Sequence, residues 1–242
     1  SVNAGYEVQK ATINKFISVA LELGGKDPAY VRHDADLEKS VENLVDGSFF
    51  NSGQSCCGIE RIYVDKKIYN SFLELFIDKT YEYKLGNPLN KDTNLGPVVK
   101  LSAAKFIKDQ INLAVKKGAK MMIDKSKFNY PKEHENYMIP QVLTGVNHEM
   151  DFMMKETFGP CVGIMPVAND KEGIDLMNDS PYGLTASIWT KDLEAAEKLG
   201  NNVNTGTLFM NRCDYLDPGL SWTGVKETGK GCSLSEIAYE HL

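Results

Sequence analysis

No stretch of this chain concentrates positive charge. Its 242 residues carry 27 Lys and Arg against 33 Asp and Glu, a net charge of −6, which argues against nucleic acid and against an anionic membrane surface as partners. No apolar run approaches the roughly 18 residues that a membrane span needs, and nothing resembles a signal peptide. Five cysteines, an odd number in a chain this long, make no disulfide framework and point to a reducing compartment. The four histidines, His33, His134, His148 and His241, are scattered. None lies at metal-ligand spacing to another His or to a CxxC pair, so no metal site is expected. Internal repeats and low-complexity tracts are absent too. What is left is ordinary globular protein, 42% hydrophobic and 25% charged, able to bury a sizeable core as one large domain or one and a half. The chain starts at Ser1 without a Met and looks mid-element there, so a targeting segment could lie upstream. A cytoplasmic location is the expectation, with organellar targeting left open.

Hydrophobic periodicity predicts helices over Ala4–Phe16, Asp36–Phe49, Lys66–Tyr83, Ser102–Lys117, Lys171–Asn178 and Leu193–Leu199. Strands are predicted over Ile17–Leu23, Ala29–Arg32, Arg61–Asp65, Met121–Asp124, Tyr137–Val146, Cys161–Val167, Ala186–Thr190 and Gly206–Asn211. Ile17–Leu23 reads as a buried strand stopped by Gly24-Gly25-Lys26-Asp27-Pro28. Ser102 reads as a helix cap, and Ala104, Ile107, Ile111, Ala114 and Val115 as the inward face behind it. The lysine-rich segment 125–136 reads as a solvated loop. Strands alternating with helices of about ten residues imply crossover units on a parallel sheet covered on both faces.

The turn Phe50-Asn51-Ser52-Gly53-Gln54-Ser55-Cys56-Cys57-Gly58 joins a helical pattern to a strand, a place where a side chain can be aimed into a cleft. A thiol there becomes a nucleophile if unpaired backbone N–H groups favour its thiolate. Taken alone, Cys56 and Cys57 read equally as two small core hydrophobes. Glu22, near the end of an apolar run, is either a strand-end charge reaching solvent or a carboxylate held at a cleft with a raised pKa.

Leu21-Glu22-Leu23-Gly24-Gly25-Lys26, Gly53-Gln54-Ser55-Cys56 and Glu156-Thr157-Phe158-Gly159-Pro160 occur in this order. Together with Asn178-Asp179-Ser180-Pro181-Tyr182-Gly183-Leu184 and Gly224-Val225-Lys226-Glu227-Thr228-Gly229, they resemble the signature of the NAD(P)-dependent aldehyde dehydrogenase superfamily over essentially the whole chain. The resemblance implies a parallel-sheet α/β catalytic domain, helices on both faces, preceded by a fragment of a Rossmann-like cofactor domain. Residues 1–24 would be that remnant, 25–228 the catalytic domain, and 229–242 a return segment toward the cofactor domain and an oligomerisation arm. Ser1-Val2-Asn3-Ala4-Gly5 resembles the tail of the family's Phe-Thr-Gly-Ser block, so the first half of a full enzyme is expected to lie outside this sequence.

The same resemblance assigns roles. Cys56 would attack an aldehyde carbon and Glu22 would activate the water that cleaves the resulting thioester, with partial burial raising the Glu22 pKa. Glu156 would hydrogen-bond the nicotinamide ribose and Phe158 pack beside the ring. Ser1 and Gly5 match positions along the pyrophosphate, and the Leu23 carbonyl one that faces the nicotinamide amide. The Cys56 backbone N–H is one oxyanion donor, its partner an Asn side chain from the missing half. Cys57 reads as structural beside the nucleophile, and Cys161, Cys213 and Cys232 as buried or incidental thiols. Phe50, Ser55, Cys57, Tyr215 and Trp222 would line the substrate side, suggesting an aromatic-walled pocket for a medium-sized apolar or aromatic aldehyde. Trp222 and Thr223 stand where many members carry Phe and Gly, which makes borrowed substrate assignments unsafe. The cofactor is expected to be NAD or NADP, NAD favoured, and the full-length enzyme a homodimer or homotetramer. Competing readings are a coenzyme A-acylating dehydrogenase, against which Glu22 counts, and an inert interaction fragment.

Overall fold

The computed structural model describes residues 1–130 and 134–241. Its elements run α1 (Val2–Thr12), β1 (Leu21–Glu22), β2 (Asp27–Val31), α2 (Leu37–Phe49), β3 (Ile59–Asp65), α3 (Tyr69–Thr80), α4 (Leu101–Lys116), β4 (Lys120–Met121), β5 (Gln141–Thr144), α5 (Asp151–Met154) and β6 (Cys161–Val167). They continue with α6 (Asp170–Asn178), β7 (Tyr182–Gly183), β8 (Thr185–Trp189), α7 (Leu193–Gly200), β9 (Thr207–Met210), β10 (Val225–Lys226) and β11 (Gly229–Lys230). Of the loop expected over 125–136, residues 131–133 lie outside the described residues, as does Leu242 of the return segment.

Seven strands form one sheet in the order β4-β5-β6-β3-β2-β8-β9. Every neighbouring pair is parallel except β4, which runs antiparallel to β5 at the edge. This is the parallel α/β sheet that the alternation of strands and helices predicts. Strands β2 and β3 are buried at every position, as expected where helices cover both faces. Side chains alternate across the sheet. Val31, Ile62 and Val64 meet Phe49, Phe72 and Phe76 of α2 and α3 on one face. Tyr30 and Tyr63 meet Ile107 and Ile111 of α4 and Met153 of α5 on the other. Each such fully buried side chain stabilises the fold by about 1.5–3 kcal/mol. The Asp36 side chain caps α2 by accepting from the Lys39 N–H at 3.2 Å, and Gly118, at φ 108, lets the chain leave α4.

The departures from sequence expectation cluster at the ends of elements. Ile17–Leu23 is not a buried strand: only Leu21 and Glu22 pair, with β11, in a two-stranded ribbon apart from the main sheet. Among the described residues no sheet face packs over the preceding segment, and Ile13, Phe16 and Ile17 are exposed. Ser102 does not cap α4, which begins one residue earlier at Leu101 with no side-chain cap. Val115 is exposed while Ala104, Ile107, Ile111 and Ala114 are buried, because it falls beyond the edge of the inward stripe. The strand expected over Tyr137–Val146 shrinks to β5.

Candidate active site

Three turns feed the N-terminal ends of the adjacent central strands β2, β3 and β6: Gly24–Lys26, Phe50–Gly58 and Glu156–Pro160. Strand adjacency therefore sets three blocks distant in sequence side by side at one edge of the sheet. The fit between them is tight. A Cβ on Gly25 would stand 2.5 Å from the Cys56 carbonyl oxygen, and one on Gly24 would stand 2.6 Å from a Glu156 carboxylate oxygen. The Gly25 N–H donates to Glu156 Oε1 at 3.2 Å. The third approach needs glycine outright: Gly53 has φ 67, and a Cβ there would meet the Gly159 carbonyl at 2.2 Å.

The Phe50–Gly58 turn leaves α2 through a left-handed stretch, with Asn51 at φ 50 and Ser52 at φ 58. Side chains hold it there. Ser52 Oγ donates to the Gly96 carbonyl at 2.6 Å, and Gln54 Oε1 accepts from the Val99 N–H at 2.8 Å. Cys56 emerges exposed while Cys57 is buried behind it. The Cys56 thiol is pulled down to about 7: the adjacent Cys57 side chain and its own backbone N–H favour the thiolate, against burial and the negative charges of Asp214 and Glu22. Cys57 is pushed up in turn, by its neighbour Cys56, by burial and by Asp214.

Glu22 lies close enough for its charge to be felt at the Cys56 sulfur. It is exposed, unlike the partial burial expected for it, because β1 belongs to a peripheral ribbon. The Ser233 hydroxyl donates to Glu22 Oε1, and Ser233 is itself fixed by paired backbone hydrogen bonds with Trp222. Glu156 is half-buried; burial and the charge of Glu60 push its carboxyl up while the Gly25 N–H opposes them. Phe158 is 40% exposed and sits at φ 55.

Ser1 is the N-cap residue of α1, and Gly5 is buried against the Leu23 side chain, which a Cβ would meet at 2.7 Å. Val2, Gly5, Leu21, Leu23 and Gly229 border a hollow of about 210 Å³ at that end of α1. On the substrate side, Ser55 Oγ and Cys57 Sγ both donate to Asp214 Oδ1 at 2.9 Å. Trp222, 7% exposed, packs against Cys57 and Leu184 and so backs the Phe50–Gly58 turn instead of standing open. Tyr215 lies under the Arg212 guanidinium, 3.1 Å from carbon to ring centroid. Phe50 is exposed and faces a groove shared with Glu42, Asp46 and Tyr83. The residues missed from sequence are the supports: Asp214, Ser233, and the buried pair Lys26 and Glu60. None sits in a pattern that names its partner.

The chain matches the aldehyde dehydrogenase family over residues 1–242 and belongs to it. It is 35% identical over 225 residues to 3-sulfolactaldehyde dehydrogenase of Priestia aryabhattai, covering 93% of this chain and 46% of that protein. It is likewise 35% identical to lactaldehyde dehydrogenase of Escherichia coli, covering 96% of this chain and 48% of the relative. A solved betaine aldehyde dehydrogenase from Staphylococcus aureus in complex with NAD+ superposes with a TM-score of 0.93 at 30% identity, over 99% of this chain and 48% of that one. An NADP-dependent glyceraldehyde-3-phosphate dehydrogenase from Bacillus halodurans, complexed with NADP, gives 0.91 at 32%, over 98% and 48%. The chain thus spans about half the length of the relatives it matches. No helix among the described residues is long and apolar enough to cross a membrane.

Proposed function

We propose that the full-length protein oxidises an aldehyde to a carboxylic acid with NAD or NADP, and that this chain supplies the nucleophile, the base and part of the nucleotide site. The observation that carries the reading is the exposed Cys56 thiol, held on a turn that packs against the Gly24–Lys26 and Glu156–Pro160 turns, with its pKa drawn down toward about 7. Cys56 as thiolate adds to the aldehyde carbon and gives a thiohemiacetal whose oxyanion can accept a hydrogen bond from the Cys56 N–H. Loss of hydride from that carbon leaves a thioester on Cys56. Glu22, oriented by Ser233, then takes a proton from water as its oxygen attacks the acyl carbon, and the acid departs as Cys56 regains its thiolate.

The residues present fit a nicotinamide nucleotide. An exposed aromatic ring, Phe158, stands beside a half-buried carboxylate, Glu156, and the N-terminus of α1 offers backbone N–H groups to an anion beside Gly5 and Leu23. When bound, the nucleotide supplies the hydride acceptor. Glu156 would hold the ribose, Phe158 the ring, and Ser1 and Gly5 the pyrophosphate. Pairing of β1 with β11 supports the division into a cofactor-domain remnant over 1–24, a catalytic domain over 25–228 and a return segment over 229–242. Assembly as a homodimer or homotetramer in the cytoplasm completes the reading.

Product analysis tests it. The full-length protein, given an aldehyde panel with NAD and NADP, is expected to release free acid and reduced nucleotide in equal amounts. Acyl-coenzyme A as the main product when the thiol is supplied overturns the role given to Glu22.

A further inference from the structure

Glu60 takes no part in the steps above, yet its position is a demanding one. It lies near the start of β3, buried, where an ionised carboxylate has lost its water. Protein donors replace that water. The Lys26 ammonium, also buried, donates to Glu60 Oε2. The Thr157 N–H donates to Oε2 at 2.9 Å, and the Phe158 N–H donates to Oε1 at 2.9 Å. Lys26 makes a second bond, to Thr157 Oγ1 at 2.9 Å, so the pair grips the turn by backbone and side chain together.

What is gripped is the turn that carries Glu156 and Phe158. Phe158 has φ 55, a left-handed conformation that a bulky residue keeps only where its surroundings hold it. Its N–H is one of the two that Glu60 accepts. On either side the turn is seated against the other two: Glu156 by the Gly25 N–H, Gly159 by the close approach of Gly53. The Glu60 carboxylate thus fixes the backbone between the two side chains assigned to the nucleotide, in register with Cys56.

Resting on the proposed function, we propose that Glu60, set by Lys26, is a positioning residue for hydride transfer: its carboxylate holds the 156–158 turn so that Glu156 and Phe158 present the nicotinamide at a fixed distance from Cys56. A buried ion pair serving packing alone could be replaced by apolar side chains of similar volume with little loss. Such a replacement here removes the acceptor for two backbone N–H groups and frees the turn.

The test uses the full-length protein and the variants Glu60→Asp and Glu60→Gln. Glu60→Asp keeps the charge beside Lys26 and so guards against misfolding, but draws the carboxylate back by one methylene from the turn. The readouts are KM for nucleotide and for aldehyde, the pre-steady-state burst of reduced nucleotide, and cofactor-free hydrolysis of p-nitrophenyl acetate, which calls on Cys56 and Glu22 and on no nucleotide. Loss of a charge-assisted hydrogen bond is on the order of tenfold in an equilibrium. Both variants are therefore expected to raise nucleotide KM, or slow the burst, about tenfold, with aldehyde KM and ester hydrolysis within about twofold of the parent. Unchanged nucleotide KM and burst overturn the proposal. So does a parallel fall in ester hydrolysis, or loss of folded protein in both variants, either of which makes Glu60 merely structural. A parent that hydrolyses the ester but reduces no nucleotide with any aldehyde overturns the functional reading itself.

Discussion

Replacing Cys57 by Ala removes the side chain that does most to lower the Cys56 thiol. Hydrogen bonds to a charged group contribute about 1.5–3 kcal/mol, and a thiol is a weak donor, so the lower figure applies. At about 1.4 kcal/mol per pH unit, that is a rise of about one unit. The midpoint for thiolate formation should move from about 7 to about 8. At pH 7 the thiolate fraction then falls from about one half to about one tenth, and alkylation of Cys56 slows about fivefold. Water entry behind the turn would act the other way, and the apolar Leu184 and Trp222 side chains packed on Cys57 oppose it. Cys57→Ser keeps a hydroxyl donor and should stay near the parent. Asp214→Asn removes an opposing charge and should lower the midpoint. Iodoacetamide kinetics against pH, with labelled peptides mapped by mass spectrometry, give all four midpoints. An unchanged midpoint in Cys57→Ala, or equal shifts in Cys57→Ala and Cys57→Ser, would refute the reasoning.

Glu22→Gln should lower the steady-state rate of the full-length protein while leaving the burst of reduced nucleotide intact; loss of the burst in rapid-mixing experiments moves Glu22 to an earlier step. Phe76→Ala, at a side chain fully buried between α3 and the sheet, should cost about 3–5 kcal/mol, read as a lower urea midpoint with unchanged slope. Gly53→Ala should lose Cys56 reactivity through displacement of the turn, since its Cβ has no room beside the Gly159 carbonyl; parent-like alkylation kinetics count against the close approach.

Much of the site is written in consecutive residues. Gly53-Gln54-Ser55-Cys56 and Glu156-Thr157-Phe158-Gly159-Pro160 are turns whose shape can be read locally, while the roles given to their side chains came through the family resemblance. The alternation of strand and helix likewise suffices for a parallel sheet. Other contacts have no local signal. Ser233 reaches Glu22, Asp214 reaches Ser55 and Cys57, and Lys26 reaches Glu60 only after strand order is set, and no spacing announces them. The misreading of Ile17–Leu23 has a different cause. Apolar composition reports what a segment can bury, and burial needs a second surface; β1 pairs with the two-residue β11 apart from the main sheet. The neighbouring cysteines were ambiguous for a related reason, since exposed and buried thiols share one letter and only the direction of the turn separates them.

Quenched-flow mass spectrometry of the Glu22→Gln full-length protein, mixed with an aldehyde substrate and nicotinamide nucleotide, would catch the acyl group before water removes it. The account predicts the added mass of the acyl group on the peptide containing Cys56, absent when nucleotide is left out. Reduced nucleotide formed with no acyl mass on that peptide, or with the mass on Cys57 or Cys161, would contradict it.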